Sequence, residues 1–339
     1  MGARWALTLP LAPKKDAPTP NALPDALVRR FAGDVARLIG ETDTGRIGIA
    51  VSGGPDSLAL LLLANAAVLG RVEAATVNHQ LRSESDNEAL FVAEICAEHQ
   101  IAHATLPVTV MLAGNISAAA RTARYTALDG WADSRRINWI MTGHHADDQR
   151  ETMIMRLTRG AGLAGLSGVR AKQGRILRPL LRWRHDELKS LVAETGIVAV
   201  DDPTNHDDRY DRARLRKLLQ NADWIDPQAL ALSAEALAEA NAALEWCADR
   251  LEAMHVSQDE AGVAFERAAQ TMPKELVRRL ALRCLRRIDP ACDPRGVPLG
   301  RFIAALENGG TAMLGAVVAR GGDDWHFSLA PSRRLTKPK

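Results

Sequence analysis

The chemistry in this chain concentrates in three short polar strings. The first is Ser52-Gly53-Gly54-Pro55-Asp56-Ser57. Two adjacent glycines let a backbone turn tightly and approach an anion without Cβ interference. Pro55 suits the first turn of a helix, where a missing N–H costs nothing. The free N–H groups of that turn, with the helix dipole, favour phosphate. Ser52 and Ser57 can add hydroxyl donors. The same residues also make a plain capped strand–helix turn, with Asp56 or Ser57 as the cap. No GxxxxGK[ST] string occurs and no GxGxxG follows the first strand, which disfavours a Walker-type phosphatase and a dinucleotide fold.

The second string, residues 142–152, reads TGHHADDQRET. On a helix starting near Asp147, Asp148 and Glu151 share one face at i, i+3, and His144 and Asp147 sit at its mouth. Such a cluster can bind Mg²⁺ through carboxylates or move protons. Acidic residues also favour a helix's first turn for dipole reasons alone. The third string, residues 201–216, is DDPTNHDDRYDRARLR, ending in Arg212, Arg214 and Arg216. Between Arg150 and Lys217 there are fifteen Lys or Arg against nine Asp or Glu, an excess of +6 in a chain whose net charge is +2. Arg pairs bidentately with phosphate, so the excess is either a nucleic-acid footprint or a solvated charged face.

These strings need elements to position them. Apolar residues recurring at three and four predict a helix over 24–39. The pattern then alternates: strand 46–51, helix 57–69, strand 72–78, helix 84–99, strand 104–110, helix 117–134, strand 138–142, helix 148–158. Helix 188–195 and a short strand 197–200 follow. This is the signature of an α/β fold, a parallel sheet with helices on both faces. Right-handed crossovers put all strand carboxyl ends on one edge, where ligands bind. SGGPDS follows the first strand, NHQLRSES the second and TGHHADDQRET the fourth, so all three are expected at that edge. Residues 159–168, RGAGLAGLSG, read as a mobile loop. Beyond residue 226 the pattern changes to helices 228–254 and 273–287 and a hairpin over 312–329, a smaller, mostly helical domain. The expected organisation is a tail 1–23, a catalytic domain 24–222, a C-terminal domain 226–331 and a tail 332–339.

Cys96, Cys247, Cys284 and Cys292 are scattered without a CxxC pair, against a zinc ribbon, an iron–sulfur site or a disulfide framework. No run of eighteen apolar residues occurs and the N-terminus lacks a signal-peptide pattern, so a cytoplasmic protein without a membrane segment is expected. The sequence leaves the oligomeric state open, a homodimer included.

The first string resembles the SGGxDS loop of the PP-loop ATP-pyrophosphatases (the adenine nucleotide alpha hydrolase-like fold), which holds the β,γ-pyrophosphate of ATP. The segment HHADDQRET is similar to the HHxxDQxET-type segment of tRNA(Ile)-lysidine synthetases, and residues 77–85 to their NHxLRxES segment. ARTARY at 120–125, RPLL at 178–181 and DPTN at 202–205 follow in the same order. The resemblance covers roughly residues 46–216. It implies that ATP, with Mg²⁺ carried on its phosphates and Asp56 as a candidate ligand, adenylates O2 of the wobble cytidine of a CAU-anticodon tRNA(Ile). It further implies that L-lysine then displaces AMP at C2. Under that resemblance Asp148 holds or deprotonates the lysine amine, Glu151 shares its ammonium, Asp147 belongs to the same acid set, and His144 assists at the cytidine. Asn78, His79, Arg82, Arg121, Arg124, Arg212 and Arg216 are then the expected RNA or phosphate contacts, the loop 159–168 a lid, and the C-terminal domain a grip on the tRNA. One departure stands out: the family shows Asn after the Arg matched to Arg212, and here that position is Ala213. A tRNA 2-thiolation enzyme of the same superfamily is the nearest rival, and it would need catalytic cysteines or an iron–sulfur triplet.

Overall fold

The computed structural model describes residues 7–8, 23–79, 85–109, 116–200, 211–266, 272–294 and 296–331, with backbone alone at 7, 8, 116 and 117. In chain order the elements are β1 (Leu7–Thr8), α1 (Asp25–Ile39), β2 (Ile47–Ala50), α2 (Pro55–Ala67), β3 (Val72–Asn78), α3 (Ser85–Glu98), β4 (Ala102–Pro107) and α4 (Ile116–Arg135). Then come β5 (Trp139–Met141), α5 (Ala146–Leu157), α6 (Leu163–Leu166), β6 (Lys172–Gln173), β7 (Ile176–Leu177), α7 (His185–Glu194) and α8 (Asp211–Leu219). The remainder is α9 (Pro227–His255), β8 (Val256–Asp259), β9 (Gly262–Glu266), α10 (Lys274–Ile288), α11 (Val297–Glu307), β10 (Thr311–Leu314), β11 (Val317–Arg320) and β12 (Asp324–Leu329).

Two compact units emerge. One takes the chain through Met155 and then Gly168–Ala234; the other takes Arg156–Ser167 and everything from Glu235. The division falls inside α9, beyond the expected boundary at 222–226, because the first turns of α9 bury Ala231 and Ala234.

In the first unit the sheet order is β1-β4-β3-β2-β5-β7-β6. Strands β4, β3, β2, β5 and β7 run parallel; β1 and β6 are antiparallel margins. Successive side chains of a strand point to opposite faces, and both faces are filled here. Ile47 and Ile49 join Ala74, α2 and Trp183 in one core, while Ala75, Ile140 and Ile176 join Leu128 and Trp131 of α4 in another. Helix α2 is apolar all round (LALLLLA) and buried from Ser57 to Ala64, as a helix enclosed by neighbours must be. The expected last strand at 197–200 is not one. The strand on the far side of β5 from β2 is β7, too short at two residues to show a strand pattern, and the 197–200 segment belongs to no strand, with Val200 N–H bonded to Gly53 O at 2.9 Å. The glycine-rich segment expected to be a mobile loop instead builds α6, held by Arg156 Nη1 on Gly165 O at 2.7 Å and Ser167 Oγ on Leu163 O at 2.9 Å.

The second unit is more β-rich than its sequence suggested. A five-stranded antiparallel sheet, β10-β11-β12-β9-β8, packs Phe265, Trp325 and Phe327 against α10 and α11. The expected hairpin over 312–329 is three strands, and β8–β9 was missed. Its turn carries no Asn-Gly or Asp-Gly pair; Asp259 Oδ1 instead accepts the N–H groups of Ala261 and Gly262 at 2.8 and 3.1 Å. Arg279 and Arg283 of α10 are tied to Glu245 of α9, and Arg287 to Glu252 at 2.6 Å. Among the described residues, no helix is long and apolar enough to cross a membrane.

Trp183 joins the first core to the loop above it. It is fully buried, its Nε1 donates to Asp34 Oδ2 at 2.8 Å, and its carbonyl accepts Ala146 N–H, the start of α5, at 2.8 Å. Trp183→Ala should cost about 3–5 kcal/mol, the range for truncating a buried aromatic, read as a lowered urea midpoint.

Candidate active site

Strands β3 and β4 lie on one side of β2, whereas β5 and β7 lie on the other. The crossovers therefore change direction between β2 and β5, and this switch point opens a crevice at the carboxyl edge. The phosphate loop leaves β2 on one side of it and the TGHH loop leaves β5 on the other. Gly143 shows how near they come: a Cβ there would lie 3.0 Å from the carbonyl carbon and oxygen of Asp56 and 3.1 Å from Ser57 N. A side chain at 143 would press on the backbone of the first turn of α2, which must then give by a few tenths of an ångström.

The phosphate loop is an open cradle. Gly53 has φ +85°, a left-handed conformation costly for any residue with a Cβ. Gly54 caps α2 and Pro55 opens it. Ser57 Oγ accepts Ser52 N–H at 3.1 Å and donates to Gly54 O at 2.9 Å, fixing the turn from within. The nearest atoms to a Cβ on Gly54 are at 3.8 and 3.9 Å, which leaves space on that side of the turn, while Gly53 is backed by the side chains of Val200, Val92 and Phe91. Glycine freedom, a helix N-terminus and open space together suit a phosphate chain.

Across the crevice the charges form one network. His145, buried, places Nε2 3.5 Å from Asp56 Oδ2 and 3.5 Å from Asp148 Oδ2, and Nδ1 3.6 Å from Asp147 Oδ2. His185, first residue of α7, bonds through Nδ1 to Asp56 Oδ1 at 2.9 Å, and its ring centroid lies 5.1 Å from that of His145. Asp147 accepts Arg150 Nη2 at 3.0 Å and the His185 N–H at 2.9 Å, capping α7 from a different helix. Asp148 accepts His145 N–H at 3.1 Å and Arg212 Nη2 at 3.1 Å. Glu151 is buried and both its oxygens are taken, by Arg212 Nε at 2.6 Å and Arg216 Nε at 2.7 Å.

Protonation follows from this arrangement. Burial would raise Asp56, but hydrogen bonds from His145 and His185 outweigh it and hold the carboxyl well below its usual range. Asp147 falls to about 2, burial again being outweighed by His145 and the His185 N–H. Asp148 is lowered too: burial opposes, and the charges of His145 and Arg212 prevail. For His145, burial favours the neutral ring, yet Asp148, Asp147 and Asp56 together raise it well above 6.5. His144 goes the other way, to about 4, because burial dominates and Arg178, Arg121 and Arg212 oppose a further positive charge. Its Nδ1 lies 2.9 Å from the Thr142 hydroxyl. Adjacent histidines are thus charged and neutral at the same pH.

The structure brings Ser52–Ser57 together with His144, Asp147, Asp148, Glu151, Arg212 and Arg216. A second group gathers at the end of β3. Asn78 Nδ2 donates to Asp86 Oδ1 at 2.6 Å, and Arg124 reaches His79 Nε2 at 3.4 Å, which with burial pushes His79 down. Arg121 lies over the Tyr125 ring, 5.0 Å from its centroid. Residues 80–84 of the NHQLRSES segment, Arg82 among them, and the DPTN segment lie outside the described residues. Ala213 is buried on α8. Sequence reasoning passed over three participants. His145 was legible only as half of a pair, and His185 and Arg150 carried no motif signal. Asp56, His145 and His185 offer one oxygen and two nitrogens within 4.8 Å of one another. Mg²⁺ selects oxygen, so Asp56 fits it alongside phosphate oxygens. Charged His145 has no lone pair to give.

Cradle, switch point and acid-rich second loop define a PP-loop protein, and the PP-loop domain family model matches residues 27–222. A tRNA(Ile)-lysidine synthase of Novosphingobium aromaticivorans is 44% identical, covering 86% of this chain and 91% of that one. One from Zymomonas mobilis is 37% identical over 91% and 95%. The chain belongs to the tRNA(Ile)-lysidine synthase family. Among solved structures it is similar to the U34-tRNA thiolase NcsA from Methanococcus maripaludis, with a TM-score of 0.52 and 17% identity over 63% of this chain and 80% of that one, a likeness of fold alone.

Two predictions follow from the geometry. Gly143→Ala should weaken ATP binding several-fold, since the added Cβ presses the first turn of α2 out of place by a few tenths of an ångström; isothermal titration reads it. His144 contributes to stability above about 6.5, and that contribution is lost as pH falls towards about 4. His145 contributes below about 6.5, and its contribution is lost as pH rises through its elevated value. Imidazole NMR at about pH 7 should therefore show His144 neutral and His145 charged.

Proposed function

We propose that this protein joins lysine to the wobble cytidine of tRNA(Ile) bearing a CAU anticodon, using ATP. The observation that carries the reading is the meeting of the two loops at Gly143. It sets a phosphate cradle beside ionised Asp148 and neutral His144. O2 of the cytidine attacks the α-phosphate of ATP and pyrophosphate leaves. The lysine amine, having lost a proton, then attacks C2; the C2–O bond breaks and AMP departs with that oxygen.

The chain's residues divide this work. The α2 N-terminus and Gly53–Gly54 hold the phosphates, and Asp56 would hold Mg²⁺, which neutralises charge on the leaving pyrophosphate. Asp148, kept ionised by His145 and Arg212, suits the lysine ammonium and is the nearest acceptor when that group sheds its proton. His144, uncharged, offers a hydrogen-bonding ring to the cytidine without adding a cation beside an amine. Glu151 acts through the arginines it holds. With both oxygens occupied, it fixes Arg212 against Asp148 and does not receive the ammonium itself. His79, Arg121 and Arg124 suit the RNA backbone at the neighbouring strand end. A cytoplasmic location suits a tRNA substrate. Thiolation is the poorer reading: burial pushes the Cys96 and Cys284 thiols up to about 12 and raises Cys292 as well, and a reactive thiol needs the opposite shift.

The test is incubation with ATP, labelled lysine and CAU-bearing tRNA(Ile). The expected result is label in the RNA, with a mass increase of the anticodon loop that fits lysine and not sulfur. Asp148→Asn should lower that yield by about 10²-fold or more while ATP binding persists; an undiminished yield would remove Asp148 from the mechanism.

A further inference from the structure

Resting on that reading, we infer that Trp224 is a stacking platform for an unstacked RNA base, with the exposed face of α8 carrying the adjoining phosphates. Trp224 is 85% exposed, an unusual state for the largest apolar side chain. Of the other described tryptophans, Trp131, Trp183 and Trp325 are buried, Lys172 lies over Trp139 at 4.3 Å, and Arg250 lies over the partly exposed Trp246 at 4.1 Å. Among the described residues, no ring or cation contact covers the Trp224 indole.

The turn that presents it is firmly held. Ala222 N–H bonds to Leu219 O at 3.2 Å and Ile225 N–H to Ala222 O at 2.9 Å. Asp226 caps α9 through Ala229 N–H at 3.1 Å and pairs with Arg184. Arg150 ties this turn to the active site. One guanidinium spans Asp147 Oδ1 at 3.0 Å and the Ile225 carbonyl at 3.3 Å, so the residue after Trp224 is one side chain away from the acid network.

Charge selects the occupant. Helix α8 carries Arg212, Arg214, Arg216 and Lys217 against Asp211 alone. Arg212 and Arg216 turn inward to Glu151, while Arg214, which pairs with Asp211, stands with Lys217 and Leu218, three and four residues on, on the exposed face. An exposed indole on a rigid turn beside a cationic helix face is the combination that binds single-stranded nucleic acid, stacking a base while arginine and lysine follow the backbone. A base stacked there would stand next to the nucleotide presented to Asp148.

Fluorescence polarisation with a labelled CAU anticodon stem-loop, across a salt series, tests this. Trp224→Ala should weaken binding about tenfold, Trp224→Phe should retain most of it, and neither should change the salt slope or ATP affinity, because no charge is lost. Lys217→Ala should instead reduce the slope by about one. Equal stem-loop binding by Trp224→Ala and wild type overturns the inference and leaves the functional reading intact. So does a wild-type dimer that Trp224→Ala converts to monomer with RNA affinity unchanged, which would make the indole a self-association contact. Wild-type protein that neither binds the stem-loop nor transfers lysine overturns both.

Discussion

Three carboxylates converge in this pocket, and like charges this close cannot all ionise unless positive charge lies among them. His145 supplies it. Its ring sits between Asp56 from α2 and Asp147 and Asp148 from α5, and His185, Arg150 and Arg212 complete the balance. Removing one partner from a buried ion cluster strands the others at several kcal/mol, so the network behaves as a unit. It joins the loop after β2 to the loop after β5, fixes the N-terminus of α7 through Asp147, and carries α8 through Arg212. The rest of the site inherits its geometry from that cluster.

The sheet makes the cluster possible. The switch in crossover direction between the parallel strands β2 and β5 opens a crevice for a nucleotide, and glycines at 53 and 143 let both loops line it closely. Beneath the crevice the packing is tight. Gly48 of β2 has the Trp131 ring against it, so that a Cβ would meet Cζ3 at 2.5 Å, and Trp183 fills the opposite face under α5. A rigid floor of this kind is what allows side chains on five separate elements to hold hydrogen-bond distances near 3 Å.

Much of this was readable from the residues. Alternating apolar runs gave the parallel order, and SGGPDS and HHADDQRET kept their chemistry in contiguous strings, so their meeting at one edge could be anticipated from topology. Contacts made across the chain could not. His185 lies 129 residues from Asp56, its bonding partner, just beyond the RPLL segment, and nothing in that spacing points back to the phosphate loop. Glu151 looked like a free acid three residues from Asp148; its role was hidden because Arg212 and Arg216, 61 and 65 residues on, take both its oxygens. The two-residue β7 is too short for periodicity to show, while 197–200 has strand composition without a neighbouring strand. In the second unit, β8 follows α9 without a break, and the long helical pattern obscured it.

The most direct test of the central claim is a double-mutant cycle on stability, with Asp56→Asn, His145→Gln and the pair, in the absence of ATP and RNA. A charged His145 joining the two loops predicts that the single losses overlap, with a coupling of about 1 kcal/mol or more, within the usual range for residues in contact. Strictly additive losses would mean that the imidazole and the phosphate-loop carboxylate do not sense each other, and would contradict the account.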